Sequence, residues 1–143
     1  VVGAYSLAPR ERELLIVDSG TAITFERVTS SGTYLGGNIS PGLYTRLKAL
    51  NHFTSRLPLL SDLKDTSLGY GTTTQEALSR GALRGLIYEV DGYIRSLRSL
   101  HPEAVVYLTG GDAQMIQELL EEDVYVEPNL VLFGLNKILE YNK

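Results

Sequence analysis

The chain has 143 residues, 43% of them apolar, a formal net charge of −4 and no cysteine. That length suits one domain with a core of its own, and the lack of cysteine excludes a disulfide framework, a thiol nucleophile and a Cys-based zinc site. Mild acidity without a Lys/Arg stripe argues against nucleic acid and an anionic membrane surface, and no apolar run approaches the roughly 18 residues of a membrane span.

Residues 1–8 read as the end of an element, a helix, followed by a charged turn over Pro9–Glu13. The start, Val1-Val2-Gly3-Ala4-Tyr5, has neither an initiator Met nor the basic segment of a signal peptide, which suggests a fragment, a processed chain or a trimmed one. Glu13–Asp18 is a short apolar run, the pattern of a buried strand. Ser19-Gly20 breaks it, and Ala22–Thr29 alternates as a second strand, with Ile23, Phe25 and Val28 set among Thr24, Glu26 and Arg27. Ser30-Ser31-Gly32 turns the chain into a third strand, Thr33–Ser40, in which Gly36-Gly37 marks a bulge or the close approach of a ligand. These three form an antiparallel meander. Ser40 and Pro41 are then expected as N-cap and first residue of a helix, on which Leu43, Leu47 and Leu50 share a face.

Thr54–Gly71 reads as irregular. A long helix follows from about Thr73 to Leu100, with Ala77, Leu78, Leu86, Val90, Ile94 and Leu97 at helical spacing. Gly81 and Gly85 share one of its faces, and each costs about 1 kcal/mol against Ala, so close packing against another element is expected there. Ala104–Leu108 is a further apolar strand, ending in Thr109-Gly110-Gly111-Asp112. A helix over Ala113–Glu122, a short strand over Val124–Val126 and a last helix from near Pro128, carrying Leu130, Leu135 and Ile138, complete the chain. The order β-β-β-α-α-β-α-β-α is an α/β layer pattern.

Two loops carry chemistry. Asp18-Ser19-Gly20-Thr21-Ala22 places a carboxylate at a strand end, then a tight turn, then a hydroxyl and backbone N–H that can face an anion. A carboxylate beside a phosphate nest needs a cation partner. The plainer alternative is a hairpin turn with an Asx-type cap. Thr109-Gly110-Gly111-Asp112 opens a helix with a glycine pair, which lets backbone approach a nucleotide closely. Its plainer alternative is a βα turn with Asp112 as N-cap. His52 and His101 read as surface residues and the tyrosines as packing.

Five segments in order, Asp18–Thr24, Gly36-Gly37-Asn38-Ile39-Ser40-Pro41-Gly42, Arg56-Leu57-Pro58, Gly71–Ala77 and Leu108–Ala113, resemble the type III pantothenate kinase family, also named after a Bvg accessory factor. The resemblance implies a ribonuclease H-like fold of the actin-like ATPase superfamily, with residues 1–143 as the C-terminal half of a two-domain kinase. It implies ATP-dependent phosphorylation of pantothenate to 4'-phosphopantothenate, the first step of coenzyme A biosynthesis, in a cytoplasmic homodimer. Carried over by position, Asp18 holds a monovalent cation, K+ or NH4+. Gly20, Thr21, Gly110, Gly111 and Asp112 bind ATP with its Mg2+. Gly37, Ile39, Pro41, Gly42 and Thr74 shape the pantothenate site, with Thr73 as the fallback for Thr74. The family's first phosphate motif and its Gly-x-Asp-Arg segment, which supplies the general base, do not occur in these residues, so the chain alone is expected to be inactive. Gly81 and Gly85 mark the expected dimer face. The alternatives are a non-enzymatic transcriptional accessory factor and another actin-like small-molecule kinase.

Overall fold

The computed structural model describes residues 1–63 and 65–143. Its elements in chain order are α1 (Val2–Leu7), β1 (Leu14–Ser19), β2 (Ala22–Val28), β3 (Tyr34–Pro41), α2 (Leu43–Phe53), α3 (Thr74–Leu100), β4 (Val105–Thr109), α4 (Ala113–Leu119), β5 (Tyr125–Val126) and α5 (Leu130–Tyr141). The strands form one mixed sheet in the order β3-β2-β1-β4-β5. The meander β1-β2-β3 is antiparallel, and β4 and β5 join it in parallel.

Alternation along the strands divides the core in two. Leu15 and Val17 of β1, Phe25 of β2 and Leu108 of β4 face α2 and α3, meeting Leu47, Leu83, Leu86 and Ile94. Each such fully buried large side chain stabilises the fold by about 1.5–3 kcal/mol. On the opposite face Leu14, Ile16, Val28 and Tyr107 are covered by Ala4 of α1 and Leu130 of α5. This second cluster is small and lies toward the start of β1. The C-terminal ends of β1 and β4 are left open, and the candidate site lies there.

Several expectations are met. Arg27 pairs with Gly36 but Val28 pairs with Tyr34, so Leu35 is an extra residue and the glycine pair does adjoin a bulge. The N-cap of α3 is Thr73, whose hydroxyl accepts from Glu76 N at 3.2 Å, while the Glu76 carboxylate accepts from Thr72 N at 2.8 Å. His52 and His101 are exposed.

Other expectations are corrected. Ser40 and Pro41 do not start α2: Pro41 is the last residue of β3, paired with Ala22, and Gly42 is the N-cap. Pairing with β2 carries the strand one residue further, and β3 is an edge, where a proline without N–H is tolerated. Gly81 packs against nothing within 4 Å, and a Cβ on Gly85 would meet only the Arg46 guanidinium, at 3.6 Å. Arg46 lies there because it pairs with Glu89 of α3 and donates to Pro41 O at 2.9 Å. Helix α4 ends at Leu119, since the following loop is tied to α3: Arg98 binds Glu122 at 2.8 Å and Asp123 O at 2.7 Å. The last strand is shorter than expected, and α5 begins at Leu130 rather than near Pro128; it carries Leu130 buried and Leu135 and Ile138 exposed.

Asp91 of α3 is 4% exposed, and its Oδ1 has no hydrogen-bond partner. Burial raises its carboxyl above the usual range, against the lowering pull of the nearby Glu121 and Glu122 N–H groups and Arg95. No helix among the described residues is long and apolar enough to cross a membrane.

Candidate active site

The parallel register of β1 and β4 sets Asp18 beside Thr109, and both strands end there. Beyond Asp18 the hairpin closes through Gly20 N to Ala22 O at 2.9 Å. Beyond Thr109 the chain needs a left-handed residue, and Gly110 has φ +96°. A Cβ there would run into Ser19 O and lie 2.7 Å from Asp18 Oδ1. The two loops are therefore packed backbone against backbone, in a way only glycine permits.

A side-chain link joins them too. Ser19 Oγ donates to Asp112 Oδ2 at 3.5 Å, and Asp112 N to Ser19 O at 3.4 Å. Asp112 stands at the N-cap position of α4, as the plainer reading of this turn has it, but its side chain makes no cap hydrogen bond. Burial pushes the Asp112 carboxyl up, and the Ser19 hydroxyl partly opposes the shift.

A third loop meets the same hairpin. Gly42 N donates to Thr21 O at 3.0 Å, and Thr45 Oγ1 donates to the same oxygen at 2.6 Å. A Cβ on Gly42 would strike Gly20 O. Thus Asp18, Gly20, Thr21, Gly110, Asp112, Pro41 and Gly42 come together from three segments. Gly111 is exposed beside them and Ile39 is exposed on the edge strand. Gly37 lies across from Glu26, whose carboxylate occupies the space a Cβ would fill.

On the α1/α5 side of the sheet these loops border a cleft of about 290 Å³, lined by Asp18, Thr24, Glu26, Tyr34 and Thr109 with apolar Ile16 and Leu130. Tyr34 donates to Glu26, which raises the Tyr34 pKa. Thr109, 4% exposed, lines the cleft beside Asp18. Asp18 has no basic partner among the described residues. Carboxylate and hydroxyl oxygens lining one cleft suit a hard cation. The fit of a cation beside Asp18 rests on that donor set.

Thr74 is not joined to this cluster by any hydrogen bond among the described residues. It is the exposed first residue of α3. A larger cavity, about 440 Å³, lies near it and is lined by Leu59, Asp62, Asp65, Thr73 and Glu76. Thr73, the fallback, lines that cavity, but its hydroxyl already serves the helix cap. The three carboxylates make this cavity a poor seat for an anion, and Asp65 is already taken up by Arg80 at 2.7 Å.

The sequence reading passed over Thr24, Glu26, Thr45 and the separate role of Thr109. The alternation of β2 was the available signal for the first two. With Ile23 and Phe25 facing one side, Thr24 and Glu26 had to face the other. The Asp18–Thr109 pairing had no local signal, because it is made by strand register between distant segments.

The family model for type III pantothenate kinase matches residues 1–96. A protein of Porphyromonas gingivalis named type III pantothenate kinase is 51% identical over 144 residues, covering 99% of this chain and 59% of that protein. One of the same name from Bacteroides fragilis is 44% identical over 142 residues, covering 99% and 58%. The chain thus spans under three-fifths of the length of these curated relatives. A crystal structure from Campylobacter jejuni, described as a transcriptional activator of the Baf family, superposes with a TM-score of 0.64 at 27% identity, covering 99% of this chain and 62% of that one.

Proposed function

This chain belongs to the type III pantothenate kinase family, and on that premise we propose that it forms the nucleotide- and cation-binding part of a site that phosphorylates pantothenate from ATP. The convergence of two further loops on the Asp18–Thr21 hairpin carries this reading. Thr21 contacts ATP phosphate through its hydroxyl and N–H. Gly20, Gly110, Gly111 and Asp112 line the nucleotide, and at Gly110 the backbone packs too closely for a side chain. Asp18 is the ligand of K+ or NH4+. That ion, and Mg2+ carried with ATP, supply neutralisation of phosphate charge. Gly37, Ile39, Pro41 and Gly42 shape the pantothenate side, and Thr74 contributes its free hydroxyl. The strand order β3-β2-β1-β4-β5 supports a ribonuclease H-like fold of the actin-like kind, in one half of a two-domain kinase.

Phosphoryl transfer needs a base within reach of the substrate hydroxyl. We assign it to the further residues that the longer relatives carry. The 143-residue chain by itself is thus expected to bind ATP without phosphorylating pantothenate. Calorimetric titration of ATP in potassium and in sodium tests the first half. Potassium-dependent binding that Asp18→Asn abolishes is expected, and no binding in either salt refutes the reading. Clear ATP-dependent turnover of pantothenate by this chain refutes the second half.

We assign the homodimer face to α3, where Gly81 is open to solvent. Light scattering of the wild type and of Gly81→Arg tests it, a dimer unaffected by the substitution counting against it. The Baf-family name of the structural relative favours a second reading, transcriptional regulation. Salt-dependent DNA binding at micromolar concentration is the result that would promote it.

A further inference from the structure

The end of β3, which the reading above gives to the pantothenate side, is weakly held by the sheet. β3 has a neighbour on one side only, and Pro41 brings no N–H to its pairing with Ala22. Gly42 N ties the far end of this segment to the Asp18–Thr21 hairpin through Thr21 O. Its near end is held by a guanidinium from α2. Arg46 Nε donates to Pro41 O at 2.9 Å, and Arg46 Nη2 donates to Ser40 Oγ at 3.3 Å. The same Nη2 pairs with Glu89 of α3. One rigid, planar group thus joins the end of β3 to α3, in a geometry that an ammonium cannot reproduce.

Helix α3 has a seat for this group. Gly85 and Glu89 are four residues apart and share a helix face. A Cβ on Gly85 would lie 3.6 Å from Arg46 Nη1, and no other group beyond the helix's own backbone comes within 4 Å among the described residues. A side chain longer than that of alanine would reach into the space of the guanidinium. A glycine inside a helix costs about 1 kcal/mol against Ala, and room for Arg46 is what this one provides. The Arg46 and Glu89 side chains are 20% and 23% exposed, so the pair is shielded more than an ordinary surface pair.

We infer that Arg46, seated on Gly85 and Glu89, is a positioning residue for the second substrate: it sets the path of Ser40-Pro41-Gly42, and so the shape of the pocket for pantothenate, without touching the reacting atoms. The inference rests on the function proposed above. The nucleotide loops have fastenings of their own, Gly20 N to Ala22 O and Asp112 N to Ser19 O, so ATP binding is spared when Arg46 is lost.

Steady-state kinetics of a complete kinase containing this chain test the inference. Arg46→Met keeps an unbranched stem of similar length and removes every donor. Its KM for pantothenate is expected to rise about tenfold or more, with kcat and the KM for ATP within about twofold of wild type. Arg46→Lys keeps the charge but can meet Glu89 or Pro41 O, not both together. It is expected to recover the Tm lost in Arg46→Met and not the KM. Glu89→Gln touches nothing in Ser40–Gly42, so a rise in the pantothenate KM of this variant, expected at about threefold or more, shows that the effect runs through Arg46. An arginine that served stability alone would leave both KM values unchanged and lower kcat with the folded fraction. An unchanged pantothenate KM in Arg46→Met or Glu89→Gln overturns the inference, as does a KM restored by lysine or an equal rise in both KM values. If the wild-type kinase does not turn over pantothenate, the functional reading itself is refuted, and this inference with it.

Discussion

Gly110 is the residue on which the site geometry depends most. Its φ of +96° and its contact with Ser19 and Asp18 leave no room for a side chain. Gly110→Ala is expected to cost about 1–3 kcal/mol in urea unfolding and to abolish ATP binding. Asp18→Asn separates charge from shape. It keeps the size of the side chain, so its Tm should stay close to wild type while potassium no longer promotes ATP binding. An unchanged potassium response would remove Asp18 from the cation site. At this scale the sequence was readable where the residues of one loop are consecutive, as in Asp18–Thr21 and Thr109–Asp112. For Glu26 the alternation of β2 signalled its side of the sheet, but not its neighbours Gly37 and Tyr34, which strand pairing supplies.

Among the elements, α3 offers a clean division of labour at its first turn. Thr73 caps the helix and Thr74 does not. Thr73→Ala is expected to destabilise the chain by about 1 kcal/mol, whereas Thr74→Ala should leave stability unchanged and, in a complete kinase, weaken pantothenate use. The opposite pattern would make Thr73 the substrate contact. β2 and α3 were legible because buried periods of two and of 3.6 differ plainly, and β1 and β4 because short apolar runs mark buried strands. The start of α2 was misread because Ser40-Pro41 has the local chemistry of a helix start, and only the pairing of Pro41 with Ala22 overrides it. For α5 the apolar pattern was visible, but it says nothing of whether this chain or another body covers each side.

Over the whole molecule, stability responds to pH through carboxylates pulled in opposite directions. Glu13 is held low, first by the Ser30 N–H and then by Arg27, which it meets at 2.8 Å. Its contribution is present above the ordinary Glu pKa and is lost as pH falls through its lowered folded value. Asp91 and Asp112 are raised by burial. Their contribution is complete below the ordinary Asp pKa and is lost as pH rises through their folded values. Urea unfolding across pH should therefore show Glu13→Gln destabilised by about 1–2 kcal/mol near neutrality, with the deficit closing in acid. Asp91→Asn should gain on wild type as pH rises. A pH-independent difference for either variant would count against these assignments.

One oxygen atom, the Thr21 carbonyl, accepts from both Gly42 N and Thr45 Oγ1. It makes that hairpin, proposed to hold the nucleotide, and the first turn of α2 a single lever. In the proposed site a ligand that tilts the hairpin peptide also repositions the segment assigned to the other substrate, and the reverse holds equally. The consequence is synergy: ATP and pantothenate should each tighten the other's binding by one common factor in a complete kinase. Thr45→Val cuts one of the two links without touching either ligand. It should bring that factor toward unity in paired titrations while each ligand alone binds nearly as before.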